Sequence, residues 1–124
     1  MTNLKYKYWN ENINGEHIGD CVTRAITLAS GLSYDKVQEK LYYTGKLLEC
    51  DPLCVECYDF LLTKYLEFDR LDPLNETIWE FSSKHTRGMY LVRSRGHISV
   101  LLDNCVYDTW DCRDMVLTTA WKIF

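Results

Sequence analysis

The sequence predicts one α+β domain over residues 1–124, in which helices of the N-terminal half pack on an antiparallel sheet of the C-terminal half. Apolar residues before Gly88 recur mainly at helical spacing, whereas the residues after it form β-branched and aromatic runs separated by turns. The length of 124 residues and the hydrophobic fraction of 47% suit one core and leave no room for a second domain. Four runs are expected to form a consecutive antiparallel meander: MYLVRS, HISVLLD, CVYDTW and MVLTTAWKIF.

The first helix is predicted over CVTRAITLAS, between Asp20 and Gly31. Its apolar residues recur on one face, and Asp20 is expected to cap it by accepting hydrogen bonds from free N–H groups of the first turn. A short strand is predicted over Phe68 to Leu71. Three further helices are predicted: from the Ser33 cap to about Thr44-Gly45, from Asp51-Pro52 to Tyr65, and from an Asn75 cap to a point before Gly88.

The strongest local signal is the Asp103-Asn104 pair between HISVLL and CVYDTW. Both residue types tolerate positive φ, so the pair predicts a two-residue hairpin turn that sets Leu102 opposite Cys105. Because strand side chains alternate, this register places four side chains on one face of the hairpin and Asp111 on the opposite face. The four side chains that share a face are His97, Ser99, Asp108 and Trp110.

Cys21 is the candidate nucleophile, because a thiol in the first turn of a helix lies at the positive end of the helix dipole. The neighbouring Asp20 carboxylate opposes ionisation of the thiol, so thiolate formation requires a cationic partner. Three aromatic residues precede this segment, and we expect them in the core or along a substrate cleft beside the thiol. They are Tyr6, Tyr8 and Trp9.

His97 is the candidate base among the three histidines of the chain. Its predicted hairpin places Asp108 on the paired strand, where the carboxylate would fix the imidazole tautomer and support the charged ring. His17 lies in the N-terminal segment and His85 near the end of a predicted helix, and neither has such a neighbour.

The segments GDCVTRAI, GHISVLL and VYDTWD resemble, in content and order, the papain-like cysteine peptidase superfamily. More narrowly, they resemble small proteins, many from bacteriophages and their low-GC hosts, that are related to bacteriocin-processing-type cysteine peptidases. The resemblance implies a papain-like fold, with Cys21 as nucleophile, His97 as base and Asp108 as the orienting carboxylate. It also implies a peptidase or amidase that acts on a peptide or protein by thiol acyl transfer, with no metal or organic cofactor.

The resemblance further implies an oxyanion hole formed by the backbone N–H of Cys21 and an upstream side-chain amide. Papain has a glutamine six residues before its cysteine, where this chain has Gly15, so Asn12 or Asn14 is the candidate here. Two other functions stay open. One is a catalytically idle fold that serves as a binding or inhibitory module, for example in capture of a host factor by a phage protein. The other is a transglutaminase- or deamidase-like reaction of the same three residues.

Cys50, Cys54 and Cys57 share the spacing of a radical-SAM cluster motif, but such enzymes need a partial barrel far larger than this chain. Structural zinc is the second interpretation, with Cys105, Cys112 or a histidine as the fourth ligand. Core packing is favoured, because Cys54 and Cys57 recur with apolar residues at helical spacing. We therefore expect no bound metal.

The formal net charge of −4 and the lack of a Lys/Arg block argue against a nucleic-acid partner. The N-terminal residues lack the apolar core of a signal peptide, and no stretch approaches the ~20 apolar residues of a membrane span. The expectation is a cytoplasmic protein, in the host cytoplasm if phage-encoded, with reduced cysteines and no membrane partner.

Overall fold

The computed structural model describes residues 3–16, 19–72 and 74–124, and these form a mixed fold of helices and a mostly antiparallel sheet. The α+β class predicted from the sequence is confirmed. The helices in the described residues are α1 (Cys21–Ser30), α2 (Tyr34–Leu48), α3 (Val55–Phe60), which continues as a π-helical segment (Leu61–Tyr65), and α4 (Ile78–Lys84). The strands are β1 (Lys5–Tyr8), β2 (Asp69–Leu71), β3 (Glu76–Thr77), β4 (Met89–Ser94), β5 (His97–Leu102), β6 (Cys105–Asp108), β7 (Val116–Leu117) and β8 (Thr119–Lys122).

The hairpin of β5 and β6 has the predicted register, with Leu102 opposite Cys105. The turn residues Asp103 and Asn104 have φ values of 45° and 63°, which asparagine and aspartate accept at low cost. When the pairing is followed three residues further along both strands, Ser99 lies opposite Asp108, the last residue of β6. The turn therefore determines which side chains of the two strands can meet.

The prediction of a consecutive meander is wrong at both ends of the sheet. Its order is β1-β6-β5-β4-β8-β2, so β8 returns to pair with β4. Both Ala120 and Trp121 in β8 are fully buried, and a strand with apolar residues on both faces is stable only inside a covered sheet. β1, which the sequence marked as a polar lead-in, pairs parallel with β6.

α2 begins at its predicted cap but continues beyond Gly45. The Ser33 side chain accepts the N–H of Lys36, and the helix ends at Leu48. A Cβ at Gly45 would lie 2.8 Å from the carbonyl oxygen of Cys50. The glycine therefore allows the next loop to approach the helix closely and does not end it.

α3 and α4 begin later than predicted. Cys54 precedes α3, whereas the Asp51 carboxylate accepts the N–H of Leu53 in a turn before the helix. α4 is capped by Thr77 in a capping box, and Asn75 is not its cap. The Thr77 capping box satisfies N–H groups at the start of α4, whereas Cys54 makes no side-chain capping hydrogen bond at the start of α3.

The sheet buries apolar side chains on both faces. Helices α1 to α3 cover one face, and α4 with the small β3–β7 sheet covers the other. Cys57 is fully buried under the first layer, and Cys50 and Cys54 pack against the same cluster, as predicted for core cysteines. None of the described helices is long and apolar enough to cross a membrane.

Gly88 joins α4 to β4 with φ at +96°, and a Cβ there would lie 2.3 Å from the carbonyl oxygen of Phe124. We expect Gly88→Ala to lower the free energy of unfolding by about 2–3 kcal/mol, because backbone strain and a backbone clash add together. Gly96→Ala is the matched control, since its φ is +80° with no atom within 4 Å of the new Cβ. Urea unfolding should show that Gly96→Ala lowers the free energy of unfolding by about 1 kcal/mol. Equal losses in the two variants would contradict the steric explanation.

Candidate active site

Cys21 is the first residue of α1, and the start of this helix lies against the start of β5. The thiol is half-buried. Gly31 ends the helix in the left-handed conformation, as predicted. The helix start supplies the thiol with unpaired backbone N–H groups and the positive end of a dipole.

His97 begins β5 and Asp108 ends β6, so the hairpin brings the two side chains together at one end of the sheet. Nε2 of His97 donates a hydrogen bond to Oδ2 of Asp108 at 2.7 Å. The two side chains are only 13% and 5% exposed. The other carboxylate oxygen, Oδ1, accepts the backbone N–H of Thr109 at 2.7 Å. Because Nε2 is held by the carboxylate, Nδ1 is the ring nitrogen left for the thiol.

The electrostatics of the three groups favour a charged arrangement. Burial lowers the pKa of His97, but the hydrogen bond with Asp108 and the neighbouring Cys112 and Cys21 side chains outweigh it and raise the pKa to about 11. Burial raises the pKa of the Cys21 thiol, but the neighbouring His97 side chain and its charge, together with the backbone of Ile98, bring it below the ordinary value. Burial likewise opposes the charge of Asp108, and the hydrogen bond with His97 holds its pKa below the usual range.

Asp20 does not cap α1, in contrast to the prediction. Its buried carboxylate accepts hydrogen bonds from the Tyr34 hydroxyl at 2.7 Å and the Asn12 amide at 3.0 Å. It also forms an ion pair with Arg24, one helical turn later, at 3.0 Å. The positive charge of Arg24 compensates the acid that precedes Cys21 and contributes to the low pKa of the thiol.

The oxyanion-hole candidates are placed differently from each other. The Asn12 amide nitrogen donates to Asp20 and, at 3.4 Å, to the Tyr34 hydroxyl. Both of its hydrogens therefore have partners within the protein. Asn14 is exposed. An oxyanion role for either side chain stays a prediction, and the backbone N–H of Cys21 at the helix start is the donor that needs no rearrangement.

Cys112, predicted from the sequence only as an alternative zinc ligand, is a neighbour of this group. Its buried Sγ lies 3.5 Å from Oδ2 of Asp108 and donates to it. His97, Asp108 and Cys112 offer ligand atoms within 4.8 Å of one another, the one grouping of metal-ligand type in the described part of the chain. The direct hydrogen bond between His97 and Asp108 fills the space that an ion would occupy between them. No local pattern around Cys112 marks this contact.

The other predicted side chains lie where the register puts them. The Trp110 ring is tilted against His97, with ring centroids 4.8 Å apart. Asp111 faces away and pairs with Arg113 at 2.8 Å. His85 stacks on an aromatic ring beneath α4, away from the thiol. His17 lies outside the described residues.

β1 supports the backbone that carries Asp108. The N–H of Trp9 donates to the Asp108 carbonyl oxygen at 2.9 Å, and the Tyr6 hydroxyl donates to the same oxygen at 3.1 Å. Tyr8 and Trp9 are 51% and 41% exposed, so a core position is wrong for these two. Trp9 instead lines a narrow cavity on one side of Cys21.

A second, wider groove of about 240 Å³ lies on the other side of the thiol. Cys21 and His97 form one wall of this groove. Its remaining walls come from the loop before α3, α3 itself, β4 and the β4–β5 turn, through Leu53, Tyr58, Arg93 and Gly96 among others. The thiol therefore lies between two depressions, as an extended substrate that crosses a nucleophile requires.

We expect Arg24→Met to lower the free energy of unfolding by about 3 kcal/mol, because it leaves a buried carboxylate without its cation. The side chains of Arg24 and Asp20 are 10% and 8% exposed. Lys84→Met is the matched control: Lys84 pairs with Glu76 but is 61% exposed, so its loss should cost about 1 kcal/mol or less. Denaturant unfolding of both variants measures the difference, and similar costs would show that the Asp20 pair is not structurally important.

No protein-family model matches this chain, and comparisons with curated proteins and with solved structures give no significant match.

Proposed function

We propose that this protein is a papain-like cysteine hydrolase, a peptidase or amidase that acts by thiol acyl transfer. The observation that carries the proposal is the hydrogen bond of 2.7 Å between His97 and the buried Asp108, next to a thiol of lowered pKa at a helix start. A thiolate paired with an imidazolium is the form of cysteine that attacks carbonyl carbon at neutral pH.

In the first half of the reaction, the Cys21 thiolate attacks the substrate carbonyl carbon to form a tetrahedral adduct. The backbone N–H of Cys21 donates to the oxyanion. The imidazolium of His97 then gives its proton to the leaving amine, the C–N bond breaks and a thioester remains.

In the second half, neutral His97 removes a proton from water, and the resulting hydroxide attacks the thioester carbonyl. The C–S bond breaks, which releases the acid and returns the thiolate and the imidazolium. Asp108 keeps the ring oriented through both halves and stabilises its charged form. No metal or organic cofactor enters these steps.

The proposed setting is the cytoplasm. All six cysteines are free thiols. Besides Cys21, three of them pack in or against the first core cluster, where they act as apolar residues. A thiol nucleophile and unbridged core cysteines both suit a reducing compartment.

Substrate profiling tests the proposal directly. The protein is incubated with a proteome-derived peptide library, and the new chain termini are read by mass spectrometry. We expect the parent protein to produce new termini that the Cys21→Ala variant does not produce. Acid quenching should also trap a thioester between the parent protein and a substrate. Identical termini from both proteins would overturn the hydrolase proposal. A trapped thioester that transfers to added amines, without hydrolysis, would assign a transglutaminase-like reaction instead.

A further inference from the structure

Arg93 lies in the wider groove beside Cys21 and His97, and its guanidinium is held in place on two sides. Its Nε donates to the Tyr58 hydroxyl at 2.7 Å, and its Nη1 donates to the Thr118 hydroxyl at 3.0 Å. Within the described residues, no acceptor binds Nη2. The guanidinium is thus a fixed donor whose last nitrogen has no protein partner.

Arg93 also lacks a counterion, since no carboxylate of the described residues lies within the 4.0 Å of an ion pair. Arg24, which lines the opposite cavity, is by contrast paired with Asp20. Backbone and Cys54 hydrogen bonds hold the pKa of Glu56 below its usual range, with the charge of Arg93 as a smaller cause. Glu56 is itself exposed to solvent. A half-buried cation without a counterion is costly to maintain, and a ligand carboxylate would supply the missing negative charge.

The rest of the groove suits a short acidic side chain. Its lining contains no carboxylate, and Leu53 and Val55 provide apolar contact for methylene groups. The volume of about 240 Å³ is below the ~300–1,000 Å³ of pockets that enclose whole small molecules. It is therefore the size for one residue of an extended chain that passes the thiol.

We propose that this groove selects substrates with an aspartate or glutamate side chain next to the scissile bond, and that Arg93 is the specificity residue that binds its carboxylate. The inference rests on the proposed hydrolase function and names its substrate class. A guanidinium binds a carboxylate through charge-assisted hydrogen bonds, and here Nη2 is free to donate while Nε and Nη1 keep the guanidinium in place.

Matched peptides test the specificity. Peptides that differ only as Glu against Gln, or Asp against Asn, beside the scissile bond are compared by kcat/KM. We expect the acidic peptide to be preferred by about 10-fold or more. Arg93→Gln should bring the ratio to about one, and Arg93→Lys should restore part of it. Arg95→Gln, an exposed neighbour in the β4–β5 turn, should leave the ratio unchanged. Equal cleavage of both peptides by the parent would overturn the inference and leave the hydrolase function standing.

Alkylation supplies a second measurement that needs no hydrolysis. Iodoacetate carries a carboxylate and iodoacetamide does not, yet both alkylate Cys21 by the same displacement of iodide. We expect the rate ratio of iodoacetate to iodoacetamide to fall several-fold in Arg93→Gln and to stay unchanged in Arg95→Gln. Tyr58→Phe removes one hydroxyl of the groove but keeps the Arg93 cation, so it should retain most of the preference for iodoacetate. This variant separates loss of the cation from a general disturbance of the groove.

The two measurements separate the possible failures. An Arg93-dependent alkylation ratio without cleavage of any peptide would support the carboxylate site and overturn the hydrolase function. An alkylation rate ratio that is the same in the parent and in Arg93→Gln would overturn the carboxylate site, whatever the peptides show.

Discussion

Iodoacetamide is expected to alkylate Cys21 rapidly down to about pH 5–6, a range in which an ordinary thiol of pKa about 8.5 is almost wholly protonated. The reason is mutual stabilisation: the His97 imidazolium keeps the thiolate ionised, and the thiolate keeps the ring protonated. The two titrations are coupled, so the apparent values belong to the pair. Rate against pH, read at each cysteine by mass spectrometry, measures the effect.

The chain carries its own controls for this experiment. Burial raises the pKa of Cys57 to about 12 and also raises the pKa values of Cys54 and Cys105. These three thiols should react slowly near pH 6. Cys21 reacting no faster than they do would mean that the site holds no activated nucleophile.

His97→Ala removes the cation that lowers the pKa of Cys21, while the helix start and the pair of Asp20 and Arg24 remain. The alkylation profile of Cys21 should therefore move to higher pH by about one unit or more. His85→Ala should leave the profile in place, because His85 lies beneath α4. An unmoved profile in His97→Ala would favour the idle binding module over the hydrolase.

Asp108→Ala is expected to reduce kcat/KM by up to about 10⁴-fold, the effect of losing the orienting carboxylate of a catalytic triad. Asp111→Ala should change it by less than about threefold, because Asp111 is exposed and points away from the imidazole. The two acids lie three positions apart, so the pair is a close test of register. Equal losses would show that Asp108 does not orient His97.

The pair of His97 and Asp108 should also make stability depend on pH. The pKa of His97 is raised from 6.5 to about 11 in the folded protein. Its contribution to stability is therefore complete below pH 6.5 and is lost as the pH rises toward 11. The pKa of Asp108 is lowered, so its contribution is present above the ordinary carboxyl value and is lost as the pH falls below that value. Both shifts describe one interaction, and Asp108→Ala should flatten both limbs of the unfolding free energy measured against pH.

Local patterns in the sequence were sufficient for the features that local forces determine. The turn at Asp103-Asn104 fixed the hairpin register, and Gly31 marked the end of α1. Because side chains alternate along paired strands, the turn alone led to the contact between His97 and Asp108. The packing of Cys54 and Cys57 in and against the core followed from their helical spacing.

Long-range pairing was not accessible from these patterns. β1 carries polar residues and joins β6 from about a hundred positions away, and β8 skips β6 to reach β4. The positions of β1 and β8 depend on which faces of the sheet are covered, and no local sequence pattern shows this coverage. The pair of Asp20 and Arg24 has the one-turn spacing of a helical ion pair and was open to recognition. The contacts of Cys112 and Arg93 have no comparable signal.

The parallel pairing of β1 with β6 has a consequence for how the protein is made. The strand that braces the Asp108 carbonyl is synthesised first, and its partner emerges from the ribosome about a hundred residues later. Contacts of such sequence separation form late in folding, because a long loop must close before they are made. The Cys21 thiol and the braced pair of His97 and Asp108 can therefore be assembled only after β6 has left the ribosome. A nascent chain that lacks β6 would carry the thiol without its braced partner, so the proposed hydrolase activity requires this late strand.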